Sequence, residues 1–375
     1  MLSSIIRSST RRSSEKLISQ VRLFTSSSSA MSQARPGEDM FPIDDKHKGP
    51  TGVIDVPKRI LMGPGPANAD PRILAAQSLP LLGHMHPPFL KIMDEVQQGL
   101  RYLFQTDSPY TLCVSGTGHA GMEACIANLV EPGETVIVGN KGIWGERVCD
   151  MADRFGANVV ELKKEADTVC SLGGVPIYAD KWGIDAIYSG SQKCLSAPPG
   201  GAPLFLSPRA IEKIKARKTK VRSYYLDLNL VGKYWGWFGD RMYHHTGMVS
   251  MQYAMREALA LVADEGMEQM WARHDAVHKQ LWEGLSAMGL EPFVKDPKDR
   301  LCTVNTIKVP EGVDWAAVCK LAMDKYSVEI AGGLGPTAGQ VWRVGLMGYN
   351  AHPENVALVL DAFRDGLTQQ GFLKN

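Results

Sequence analysis

Lys193 stands in Ser189-Gly-Ser-Gln-Lys-Cys-Leu-Ser-Ala-Pro-Pro-Gly200, a loop that follows the apolar run Ile184–Tyr188 and is stopped by its own prolines and glycine. Most lysines are solvated charges. One shut into an apolar loop at a strand end has a lowered pKa and can serve as a Schiff-base amine. Upstream, Ser115-Gly-Thr-Gly-His-Ala-Gly121 lies between a strand-like run, Tyr110–Val114, and a helical one, Ala120–Leu129. Free backbone N–H groups and the helix dipole make such a loop a phosphate site, to which Thr117 and His119 can add donors. The same glycines satisfy G-x-G-x-x-G, but a dinucleotide site wants an acidic residue about 20 positions on. Here the next strand ends Val136-Ile-Val-Gly-Asn140, without a carboxylate. Two readings stand: a cradle for one phosphate of a smaller cofactor, or a glycine turn with packing value only.

A phosphate cradle and a Schiff-base lysine together point to pyridoxal phosphate. That cofactor also needs a carboxylate for its ring nitrogen and a flat surface for its ring. Asp167, 26 residues before Lys193, and Trp144, in Lys-Gly-Ile-Trp-Gly-Glu-Arg147, are the candidates. Other side chains invite chemistry less directly. His84-Met-His86 and His244-His245 have no third ligand at fitting spacing, so both read as loop structure and no metal site is assigned. Cys302 is a possible desulfurase-type nucleophile without evident activating neighbours.

The elements that would position these residues alternate strand and helix. Helical periodicity runs from Pro88 to Leu103, and strand–helix pairs follow at Tyr110–Leu129 and Thr135–Phe155. That order implies an α/β fold with a mostly parallel sheet covered on both faces. One long helical pattern spans Ala254–Met288, and beyond it the rhythm is that of a smaller α+β unit. Strands are expected at Pro292–Val294, Thr303–Val309, Val328–Ile330 and Val341–Leu346, with helices at Trp315–Met323 and Glu354–Leu367. The domain boundary is therefore placed inside the long helix, giving a large domain over 58–265 and a small one over 266–375.

Composition bounds the rest. The 375 residues are 44% hydrophobic and 22% charged with a net charge of +1, which argues against nucleic-acid or acidic-membrane partners. Seven scattered cysteines fit free thiols in a reducing compartment. Residues 1–34 set Arg7, Arg11, Arg12, Lys16 and Arg22 against Glu15 alone, with Leu17, Val21 and Phe24 on one helical face. Such composition predicts a transit peptide and mitochondrial (matrix) import; a disordered basic tail is the other reading. Initiation at Met31 would delete the leader and leave a peroxisomal or cytosolic protein, although Leu-Lys-Asn at the C-terminus is not a peroxisomal address. Residues 35–57 read as an extended arm.

From about Lys58 onward the chain resembles the class V, fold-type I pyridoxal-phosphate aminotransferases, in the branch that acts on alanine, serine, glyoxylate and pyruvate. The motifs that carry the resemblance are Leu61-Met-Gly-Pro-Gly-Pro-Ala-Asn68, Ser115-Gly-Thr-Gly-His119, Gly142-Ile-Trp-Gly145, Ser171-Leu-Gly-Gly174, Ser189-Gly-Ser-Gln-Lys193, Arg241-Met-Tyr-His-His-Thr246 and Gly332-Gly-Leu-Gly-Pro336. The resemblance implies that Lys193 carries the cofactor and shuttles a proton, and that Asp167 holds the ring-nitrogen charge. Trp144 and Val169 would sandwich the ring, while Thr117, Gly118, His119 and Gln192 hold the phosphate. Tyr243 and Thr246 would reach the partner subunit's phosphate in a homodimer. Arg343 would clamp the substrate carboxylate beside the Gly63–Gly65 turn, which leaves room at Gly65 for small amino and 2-oxo acids. A desulfurase or lyase of the same fold is the enzymatic alternative.

One departure from the family pattern bears on activity. Trp144 and Asp167 are 23 residues apart, where the family has a further strand–helix unit. A βαβ unit needs roughly 30 residues. The Ala166–Asp167 join therefore reads as an internal deletion that leaves a gap in the sheet, with a catalytically inactive isoform as one outcome.

Overall fold

The computed structural model describes residues 46, 48–140, 142–163 and 170–374. The expected leader, Asp167 and Val169 lie outside these residues. The chain divides into two units, Met1–Val56 and Pro57–Asn375. In the first, residues 48–56 carry no helix or strand and are exposed throughout.

In the second unit, strand β1 (Ile60–Leu61) runs into the Gly63–Asn68 turn. Helix α1 (Pro71–Gln77) is started by Asp70, whose side chain accepts from Arg72 N, with Pro71 in the first turn. Helix α2 (Pro87–Phe104) buries Phe89, Met93, Val96, Leu100 and Leu103 along one stripe. Strand β2 (Thr111–Ser115) and helix α3 (Gly118–Leu129) flank the glycine loop. Strand β3 (Thr135–Asn140), helix α4 (Ile143–Arg154) and strand β4 (Asn158–Lys163) make a crossover whose two strands pair in parallel.

Strand β5 (Ala186–Tyr188) and strand β6 (Gly201–Leu206) enclose the lysine loop. The sheet order is β2-β6-β5, and β6 is antiparallel to both neighbours. Strand–helix alternation favours parallel pairing, but no helix separates β5 from β6, so the loop turns the chain straight back. The outcome positions the site. With β6 reversed between them, β2 and β5 run parallel to each other. Their C-terminal ends, Ser115 and Tyr188, thus leave the sheet at one edge, the edge where open α/β sheets bind ligands. All six residues of β6 are buried.

Helix α5 (Pro208–Lys215) and helix α6 (Leu228–Tyr234) follow. Both begin at side-chain caps, Ser207 on Ala210 N and Asp227 on Asn229 N. The single helix expected over 254–288 is in fact two, α7 (Val249–Glu265) and α8 (Met267–Ala287). Gly266, at φ 86°, breaks it: its N–H closes α7 on Val262 O, and its carbonyl opens α8 to Met270 N. Apolar periodicity on both sides of the glycine conceals the break in the sequence.

A second sheet orders strands β7 (Val304–Lys308), β10 (Val341–Gly345) and β9 (Ala331–Gly332) as β7-β10-β9, all antiparallel. The run at 292–294 contributes only an isolated bridge from Pro292 to Ile307. Helices α9 (Trp315–Tyr326) and α10 (Pro353–Gln369) cover this sheet, where buried Trp342 meets Phe363 edge-on at 5.2 Å. Strand β8 (Val328–Glu329) pairs in parallel with β1, and Gly345 N donates to Met62 O at 2.8 Å. These bonds seat the end of β10 on the Gly63–Gly65 turn.

A small core joins the first sheet to the β3–β4 pair: Met122 and Ile126 of α3 pack with Ala152, Val136, Val159, Trp144 and Tyr188. On the opposite face of β3–β4 the alternation brings out Ile137, Val160 and Leu162, which are 65%, 44% and 53% exposed. No helix among the described residues is long and apolar enough to cross a membrane.

Candidate active site

The two loops leaving β2 and β5 touch. A side-chain carbon at Gly118 would lie 3.6 Å from Gly190 Cα, so the first turn of α3 rests on the loop before Lys193. Ala120 N donates to Thr117 O at 2.8 Å, and the N–H groups of Gly118 and half-buried His119, at the start of the helix, have no partner within it. Gln192 completes the corner: its Oε1 is buried without a hydrogen-bond partner among the described residues.

Lys193 projects from the same loop toward the β1 turn. Its Nζ donates to Pro64 O at 2.5 Å, and Ala67 N donates to Gln192 O at 2.9 Å. Gly65 has φ 104°, and a Cβ there would stand 2.6 Å from Lys193 Nζ, so a side chain would strain the turn and displace the amine. Behind the lysine, Cys194 is buried, and burial pushes its thiol up. Ser196 Oγ accepts from Tyr349 N at 2.7 Å, and buried His274 accepts from Gly348 N at 3.0 Å. These contacts clamp the loop from the side away from the glycine loop.

Trp144 sits at the start of α4 with its ring centroid 5.3 Å from that of His119, the planes 53° apart. Arg343, on β10, donates from Nε to Gly332 O at 2.7 Å. It is half-buried, and burial draws its pKa down from the ordinary arginine value. A carboxylate at its head would relieve that penalty. Gly345, two residues on, touches the Gly63 carbonyl, which links Arg343 through one turn to Gly65 and Lys193.

Tyr243 and Thr246 are exposed, and the histidines between them are bonded inward. His244 Nε2 lies 3.1 Å from Tyr224 O, His244 Nδ1 lies 2.8 Å from His245 Nδ1, and His245 Nε2 lies 2.7 Å from Ser115 Oγ. A carbonyl only accepts, so with both rings neutral every proton is assigned: Ser115 donates to His245, His245 to His244, and His244 to Tyr224 O. Burial, then the His244 and His84 rings, hold His245 down at about 4. The chain of donors ties the 243–246 segment to the end of β2.

The structure therefore brings together Thr117, Gly118, His119, Trp144, Gln192, Lys193 and Gly65, with Arg343 one turn away and Tyr243 and Thr246 at the rim. Sequence reasoning gave no site role to Arg147 or Ser115 and read His245 as loop structure. Arg147 does carry a signal, three residues after Trp144 on one helix; the other two depend on contacts between distant segments. Cys302 donates to Gly174 O at 3.5 Å, and burial followed by Asp275 pushes its thiol up to about 11, which opposes a nucleophilic role.

The sequence model of Aminotransferase class-V matches residues 165–358. The alanine–glyoxylate aminotransferase of Drosophila melanogaster is 43% identical, over 83% of this chain and 93% of its own length. The chain belongs to the class V aminotransferases. The mouse alanine–glyoxylate aminotransferase is 42% identical over 84% of this chain and 89% of its own. The solved structure of alanine–glyoxylate aminotransferase from Nostoc sp. superposes with a TM-score of 0.84 at 42% identity, covering 87% of this chain and 100% of that one.

The fold is thus fold type I, and the cofactor of this class V aminotransferase is pyridoxal phosphate. The residues present fit it. The first turn of α3 rests at Gly118 on the loop that carries Gln192 and Lys193, and an aromatic face, Trp144, stands beside His119.

Proposed function

We propose that this aminotransferase moves an amino group between alanine and glyoxylate, as its relatives are named for doing. The observation that carries the reading is Lys193 Nζ held at 2.5 Å from Pro64 O, against a glycine turn in which a side chain would displace it. When bound, pyridoxal phosphate supplies an aldehyde that condenses with amines and a ring that takes up electrons. Lys193 Nζ would hold the cofactor and would carry the proton at the substrate Cα. Arg343 fixes the substrate carboxylate, which orients Cα toward that amine. The α3 N-terminus, Thr117, His119 and Gln192 would hold the phosphate, and Trp144 would supply a face for the ring. Asp167 is assigned to the ring nitrogen and Val169 to the ring's other face by the family pattern. Tyr243 and Thr246, exposed at the rim, are assigned to the partner's phosphate in a homodimer.

The test is the visible spectrum of the purified chain, followed by product analysis. A yellow band that shifts with alanine, vanishes in Lys193→Ala and accompanies glycine formation from glyoxylate supports the proposal. Release of sulfide from cysteine alone would replace it with a desulfurase.

We propose further that the chain is a shortened family member. The Drosophila alignment runs over 366 positions, while 83% of 375 residues is about 311; about 55 positions of the relative therefore have no counterpart here. The family match begins at residue 165, beside the Ala166–Asp167 join. The apolar residues exposed on β3–β4 are what a lost cover would leave. Inserting the relative's segment at the join tests this: cofactor affinity and melting temperature should both rise. No change in either would show that this chain does not need the segment. Import directed by residues 1–34 is a separate proposal, read from their composition; a reporter fusion that remained cytosolic would refute it.

A further inference from the structure

Arg147 leaves the same face of α4 as Trp144, three residues earlier. Its guanidinium carbon lies 4.9 Å from the Trp144 ring centroid, and its Nη1 lies 2.5 Å from His119 Nε2. A cation thus stacks on one ring of the site while hydrogen-bonding the other. Guanidinium has five N–H groups and no acceptor, and it stays protonated in proteins. His119 Nε2 must therefore present its lone pair to Arg147. The imidazole then carries its one hydrogen on Nδ1 and is neutral. Burial, and then the Arg147 charge, lower the His119 pKa in agreement with that state.

We propose that Arg147 is a positioning residue of the cofactor site: it holds His119 in the neutral Nδ1–H form and sets the tilt of the Trp144 ring. On the pyridoxal-phosphate reading, His119 meets the phosphate as a directed neutral donor, not as an imidazolium. The positive charge at this corner belongs to the α3 N-terminus and to Arg147. The arrangement avoids two cations in contact. It also leaves His119 one donor, so the phosphate meets one geometry at every pH above the imidazole's lowered pKa.

The first test uses the full chain stripped of cofactor and labelled with ¹⁵N-histidine, with His119 signals assigned from His119→Asn. Long-range ¹H–¹⁵N correlations should show His119 as the neutral Nδ1–H tautomer at pH 7. In Arg147→Gln the ring should shift toward Nε2–H and titrate at higher pH, with Arg147→Lys in between. An Nε2–H or cationic His119 in the wild type, or an unchanged spectrum in Arg147→Gln, would overturn the proposal. This arm needs no cofactor, so it stands or falls separately from the pyridoxal-phosphate reading.

The second test measures pyridoxal-phosphate dissociation constants in a double-mutant cycle. Arg147→Gln should weaken binding about ten-fold with His119 present and less than about two-fold in the His119→Asn background, where no tautomer remains to be chosen. Equal losses in both backgrounds would reduce Arg147 to general packing and sink the idea. Failure of the wild type to bind at all would refute the cofactor reading and leave the tautomer to the spectrum.

Discussion

The ammonium of Lys193 and the carbonyl of Pro64 are 129 residues apart in sequence and 2.5 Å apart in space. That bond joins the loop after β5 to the turn after β1. Gly65→Ala tests the arrangement, since the new methyl would lie 2.6 Å from Nζ at a φ of 104°. The strain costs about 1–3 kcal/mol of stability. The displaced amine should lower kcat about a hundred-fold. Circular dichroism should still report a folded chain.

Acid should loosen the clamp behind the lysine. His274 Nδ1 donates to Met270 O at 2.7 Å, and its bare Nε2 accepts from Gly348 N. Burial lowers its pKa from 6.5 to about 4. The unfolded chain therefore takes up the proton first as pH falls. Stability from this group is complete above about 6.5 and is lost progressively toward about 4. Between pH 6.5 and 5 the loss should be about 1.6 kcal/mol, read from urea midpoints. His274→Gln, which cannot titrate, should flatten the slope at the cost of lower stability at neutral pH.

The donor chain from Ser115 to Tyr224 O should govern how firmly the glycine loop is held. His245→Ala leaves the Ser115 hydroxyl without its acceptor and His244 Nδ1 without its donor, a cost of about 1–3 kcal/mol. The half-time of cofactor release, followed by absorbance after dilution, should shorten several-fold. An unchanged half-time would show that the loop is held without the histidines.

Subunit complementation checks the assignment of Tyr243 and Thr246 to a partner's phosphate. Lys193→Ala homodimers and Tyr243→Ala/Thr246→Ala homodimers should each be nearly inactive. Refolded together in equal amounts they should recover about a quarter of wild-type activity, because half the dimers then carry one intact site. No recovery would place both residues in their own subunit's site, or in none.

Much of the site was legible before any coordinates. A glycine loop between a strand and a helix has open amides wherever it folds, because helix termini always do. Lys193 was recognisable from its strand-end loop and from the phosphate loop and aromatic residue that precede it in order. The long amphipathic helices were legible by periodicity, as α2 and α10 illustrate. Short α1, α5 and α6 escaped because they span too few turns for a periodic signal, although Asp70-Pro and Ser207-Pro mark two of their starts.

What the sequence by itself determined about this protein is the chemical inventory and its order along the chain: a glycine loop between strand and helix, a tryptophan, a strand-end lysine and a late strand arginine. Local backbone geometry and side-chain chemistry suffice for that. Only the tertiary structure decided that β6 lies reversed between β2 and β5, which places both loops at one sheet edge. It also decided which nitrogen of His119 carries the hydrogen. That choice follows from a guanidinium 28 residues away, and a proton's place depends on what stands within three ångströms of it.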